Sequence, residues 1–176
     1  MTVLALDIGP TEFAANQVVG RVGTRDIRRI PIPANAVWDG CRGLLLDVAG
    51  DDEITAVGIA CPGPIDKSAG IIAPTRIPQW HRGFDIVTAV RRLFPVAAVE
   101  VATDGLCLTL TERNVGGAHH PEAILVGAGI LALLAADRAA RNTPPGIGAE
   151  HVAGHFHDRA TYRRADRAIC GRHQPR

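Results

Sequence analysis

The chain has 176 residues, 47% hydrophobic and 21% charged, with a formal net charge of +1. That balance describes one globular domain or two small lobes and excludes a disordered chain. Near-neutral charge gives no electrostatic case for nucleic acid or an anionic membrane, and the basic tail (Arg159, Arg163, Arg164, Arg167, Arg172, Arg176) is interleaved with Asp158 and Asp166.

Residues 3–8, VLALDI, read as a short strand that carries an acid, Asp7, to a turn at Gly9. Residues 13–19, FAANQVV, read as the returning strand. Residues 25–32, RDIRRIPI, alternate polar and apolar, and Pro31 and Pro33 suit an edge strand. Apolar positions 37, 41, 44, 45 and 48 predict a helix over 35–50, capped by Asn35 and ended by Gly50. Residues 54–61, ITAVGIAC, are apolar on both faces, as in a covered central strand, and Pro62-Gly63-Pro64 ends them. A helix is predicted over 84–95, with Asp85 near its start and Pro95 after its end. A strand over 96–104 then delivers a second acid, Asp104, and a helix over 105–113 follows. Residues 122–129, EAILVGAG, read as one more strand with a glycine-rich end, and from about 146 the periodicity is lost.

The plan is α/β, a mixed sheet with helices on its faces. Asp7, Pro62-Gly63 and Asp104 stand where strands end, at the edge where open α/β sheets bind ligands. Strand capping alone accounts for either acid equally well. No apolar run reaches the ~20 residues of a bilayer span. The start has no basic region or cleavage site of a signal peptide. Cys41, Cys61, Cys107 and Cys170 are far apart, so a cytoplasmic protein with reduced thiols is expected.

Five stretches, LALDIGPTEFAANQVV, VGIACPGPID, IAPTRIPQW, VEVATDGLCLTLTE and GAEHVAGH, together resemble the ROK family in order and spacing. That family holds bacterial sugar kinases and sugar-responsive repressors. The resemblance implies the actin-like ATPase (ribonuclease H-like) fold. Residues 1–118 would be the N-terminal kinase-like lobe, 119–158 the start of a truncated C-terminal lobe and 159–176 a basic tail. It implies ATP and Mg2+ as cofactors, held by Asp7, Gly9 and Thr11 and by a second glycine pair, Gly127 and Gly129. A sugar would meet Gly63, Arg76, Trp80, Asp104, Glu150 and a histidine, His155 or His151. Asp104 would be the general base in phosphorylation of a hexose.

The departures are local. The family's D-x-G-G-T-K hairpin is here Asp7-Ile8-Gly9-Pro10-Thr11-Glu12. Pro10 removes an N–H. Glu12 sets a negative charge beside phosphates, costing on the order of 3–4 kcal/mol at 4–6 Å and an effective ε of ~20. Arg76 replaces a sugar-binding Asn with a group that only donates, or else simply points to solvent. The second loop keeps two glycines but runs into Ile130, Leu131 and Leu133. Of the family's zinc cysteines only Cys170 remains, and His155, His157 and His173 make a forced ligand set, so no metal site is expected. The expectation is a sugar kinase-like protein of impaired activity. The alternatives are a non-catalytic sugar-binding or interaction module, or a decayed gene product. A homodimer is expected if an apolar strand over 122–136 lies uncovered.

Overall fold

The structure, a computed structural model, describes residues 2–19, 26–116 and 119–142. Strands β1 (Thr2–Ile8), β2 (Glu12–Val19) and β3 (Arg28–Pro31) form an antiparallel meander. Helix α1 (Val37–Ala49) leads to β4 (Ile54–Cys61), which lies parallel to β1. Short strands β5 (Ile65–Asp66), β6 (Ile71–Ile72) and β7 (Phe84–Asp85) make a separate small sheet. Helix α2 (Ile86–Leu93) precedes β8 (Ala98–Thr103), which pairs parallel with β4. Helices α3 (Asp104–Val115) and α4 (Ala123–Asn142) complete the described chain. The main sheet has the order β3-β2-β1-β4-β8.

The two faces of this sheet are chemically different, and period-2 alternation sets the difference. Leu4, Leu6 and Ile8 of β1 and Val57, Ile59 and Cys61 of β4 share one core cluster with Val37, Cys41, Leu44 and Leu45 of α1 and with Ile86 and Val90 of α2. The alternate positions Val3, Ala5, Ala56, Ala60 and Ala102 share a second cluster with Leu125, Ala128, Leu131, Ala132 and Ala135 of α4. This face is built of small side chains, so α4 approaches the backbone closely. A Cβ added to Gly58 would lie 2.0 Å from the Ala128 carbonyl oxygen, and one added to Gly127 would lie 2.1 Å from that of Cys107.

Helix α4 corrects the strand expected over 122–129. Its Ala- and Leu-rich sequence favours a helix, and Gly127 and Gly129 are buried within it, not the end of a strand. Thr111 ties it to α3 by sharing its hydroxyl proton between the Cys107 and Ala123 carbonyls, at 3.1 and 2.5 Å. No apolar strand over 122–136 therefore lies open. At 20 residues and a mean hydropathy of 1.8, α4 also has the length and composition of a bilayer span, but 61% of that apolar stretch is buried within the protein.

Other boundaries shift for local reasons. Helix α1 starts at Val37, and Asn35 does not cap it. The Gln79 side chain does so from afar, accepting from the Val37 N–H (3.3 Å) and donating to the Ala34 carbonyl (3.0 Å). Asp85 caps α2 by accepting from the Thr88 N–H at 2.9 Å. Residues 2–141 fall within one compact unit.

Candidate active site

Strands β1, β4 and β8 run parallel, so their carboxyl ends reach one edge of the sheet. Asp7 is in register with Ala60, Ala60 with Ala102, and Cys61 with Thr103. Asp7 and Asp104 thus stand on either side of the end of β4. Asp7 follows Val3 and Ala5 in the alternation, which puts it on the α4 face. Thr103 caps α3 through the Leu106 N–H (3.3 Å), so the helix starts on Asp104 itself.

The two carboxylates share one electrostatic environment. Burial, reinforced by Asp104 and Glu122, pushes the Asp7 carboxyl up to about 7; Arg29 opposes the rise and Glu12 adds to it. Burial also raises Asp104, against the effect of its own backbone N–H. Its Oδ1 is buried and has no hydrogen-bond partner among the described residues. An acceptor of this kind is poised to receive a hydroxyl proton. Two buried thiols border the pair. Cys61 is raised to about 11 and Cys107 to about 12, mainly by burial and then by Asp104 and Asp7, so both stay protonated near neutral pH.

A charged chain crosses the mouth of the β1–β2 turn. Arg29 of β3 donates through Nε to Glu12 (3.1 Å) and through Nη2 to Glu122, just ahead of α4. Sequence reasoning missed Arg29 and Glu122. The 93-residue separation of this pair leaves no local signal, and only the β2–β3 register and the docking of α4 bring them together.

The other expected site residues are dispersed. Gly9 closes the turn by donating to the Glu12 carbonyl at 3.0 Å, while Pro10 and Thr11 are exposed. Gly63 follows β4 with φ +90°, a conformation that favours glycine. Arg76 is exposed on the loop between β6 and β7. Trp80 is 3% exposed and stacks on Phe84, centroids 4.5 Å apart, and on Phe13 at 5.7 Å. It is a core side chain with little surface for a ligand. Gly127 and Gly129 lie inside α4. Glu150, His151, His155 and Cys170 lie outside the described residues.

A protein-family model described as the ROK family matches residues 3–174. The chain belongs to the ROK family. It is 36% identical over 77 residues to the kanosamine kinase of Amycolatopsis mediterranei, an alignment covering 44% of this chain and 25% of that protein. The ROK hexokinase from Thermus thermophilus matches at 23% identity with a TM-score of 0.54, covering 64% of this chain and 38% of that one. A ROK family glucokinase from Streptomyces griseus, solved with glucose and AMPPNP, matches at 20% identity with a TM-score of 0.57, over 66% and 38% of the two chains. These likenesses establish the fold, the α/β actin-like ATPase fold of ROK sugar kinases. The ROK chain spans only 25–38% of the length of these three relatives.

Asp7, expected from the resemblance to face phosphate, stands within reach of Glu12, Glu122 and Asp104, and that negative charge does not suit a nucleotide. Arg29 pairs with Glu12 and Glu122 and acts on Asp7, which also feels the carboxylate of Asp104. Gly127 and Gly129, expected to form a second phosphate loop, have their amides inside a helix.

Proposed function

We propose that this chain is a sugar-binding ROK protein in which Asp104 receives a hydroxyl proton of a hexose. The observation that carries the reading is the buried, unpartnered Oδ1 of Asp104 at the end of β8, beside Asp7. Burial makes this oxygen an expensive orphan, and a sugar hydroxyl donating to it relieves that cost. Gly63, just after the end of β4, stands at the same sheet edge.

The reaction of the lineage is ATP-dependent phosphorylation of a hexose, with this aspartate as general base. In this chain that activity is impaired, because the charges around Asp7 oppose a phosphoryl donor. Membership in the family and the likeness to kanosamine kinase make hexoses and amino-hexoses the first ligands to try. An ammonium group would also be welcome in an acidic site.

The test is a thermal-shift and calorimetric titration with glucose, mannose, glucosamine and kanosamine. At least one of these should raise the melting temperature of the native protein, and Asp104→Asn should abolish the response while the variant remains folded. A full response in Asp104→Asn would refute the assignment. A coupled ADP-release assay with the same sugars tests the transferase reading, and turnover that depends on Asp104 would establish it over simple binding.

A further inference from the structure

We infer that this chain takes its sugar without ATP, because its own side chains and its helix α4 fill the places that a nucleotide's phosphates would need. The inference rests on the reading of Asp104 as a sugar contact and adds a class to it: a sugar receptor, not a transferase. Three independent features of the fold carry it.

The first is the β1–β2 turn. A turn binds phosphate through backbone N–H groups that point outward with no other partner. Here the Gly9 N–H is spent inside the turn on the Glu12 carbonyl, at 3.0 Å. Pro10 has no N–H at all. The added Cβ of any other residue at position 9 would also sit 3.0 Å from that carbonyl, so the turn is already closed down on itself.

The second is charge. Among the described residues the cation that acts on Asp7 is Arg29, and Arg29 is already paired with two carboxylates, Glu12 and Glu122. Glu122 reaches Arg29 from the start of α4 and stands within the electrostatic reach of Asp7. An incoming polyphosphate would have to displace Glu122 from the guanidinium and still face Asp7, Glu12 and Asp104.

The third is α4. Gly127 and Gly129 are buried in a continuous helix, and the space a side chain would take at Gly127 is occupied by the Cys107 carbonyl. Their amides point along the helix axis into its hydrogen-bond ladder, so they are not available to an anion. The packing at Gly58 and Gly127 holds the helix there without slack.

The experiment is isothermal titration of the full chain with Mg-ATP, with inorganic pyrophosphate and, separately, with the hexose that gives the largest thermal shift. The native protein should bind the hexose and show no saturable binding of Mg-ATP or pyrophosphate tighter than ~1 mM. The triple variant Pro10→Gly/Glu12→Lys/Glu122→Gln restores an amide and a cation and frees Arg29; it should gain at least ~10-fold in Mg-ATP affinity. Circular dichroism confirms that it folds. Saturable sub-millimolar Mg-ATP binding by the native chain overturns the inference. A folded triple variant that stays blind to Mg-ATP overturns the assignment of the block to these side chains. Absence of any hexose response, whatever happens with Mg-ATP, instead overturns the sugar reading on which the inference rests.

Discussion

At the scale of single residues, position in the alternation decides role. Asp7 and Asp104 were visible in the sequence because each ends an apolar run, and parallel pairing of β1, β4 and β8 brings such ends to one edge. Trp80 was visible as an aromatic in a motif, but its environment was not. It stacks on Phe13 of β2 and Phe84 of β7 and is 3% exposed. Trp80→Ala should therefore cost about 3–5 kcal/mol, as expected for truncating a buried Trp, read by denaturant unfolding. Trp80→Phe keeps most of the aromatic packing and should retain the sugar-induced rise in melting temperature. A Trp80→Phe variant that folds normally but no longer responds to sugar would instead make the indole a ligand contact. Arg29 is the opposite case. Nothing near it in sequence marks it, because its two carboxylate partners arrive from β2 and from the start of α4.

At the scale of elements, α4 is where sequence reasoning and structure part. Residues 122–129 are a short apolar run with two glycines, and such a run does not distinguish a strand from a buried helix. What decides it is non-local: a sheet face of Val3, Ala5, Ala56, Gly58, Ala60 and Ala102, too small-sided to be a finished core unless a backbone comes close. The glycines at 58 and 127 are thus contact points, and they respond differently from an unconstrained helical glycine. Gly58→Ala and Gly127→Ala should each destabilise by about 1–3 kcal/mol or more, since their methyl groups would overlap backbone atoms at 2.0 and 2.1 Å that cannot swing away. Gly43→Ala, in α1 with nothing within 4 Å, should stabilise by about 0.5–1 kcal/mol. Urea unfolding of the three variants checks the set. Gly58→Ala and Gly127→Ala within a few tenths of a kcal/mol of the native protein would mean that α4 does not sit on this face.

At the scale of the whole molecule, the sheet has two apolar faces and needs a cover on each. Helices α1 and α2 supply one cover from within the early chain; α4 supplies the other. This makes the second cover a late, detachable element in sequence terms, joined to the rest through the Thr111–Ala123 bond, the Arg29–Glu122 pair and the Arg138–Glu100 pair at 3.2 Å. A chain ended at Gly116 would expose Val3, Ala5, Ala56, Ala60 and Ala102 together, a contiguous apolar surface that invites self-association. A chain ended at Asn142 keeps the cover. The shorter chain should elute as oligomers, bind a hydrophobic dye and melt without a sharp transition. The longer one should melt cooperatively, because residues 2–141 already form one compact unit. Size-exclusion chromatography with dye binding and calorimetry distinguishes the two. If the chain ended at Gly116 were monomeric and as cooperative as the longer one, α4 would be an appendage, and the β1–β2 turn that the Arg29–Glu122 pair borders would be open in solution.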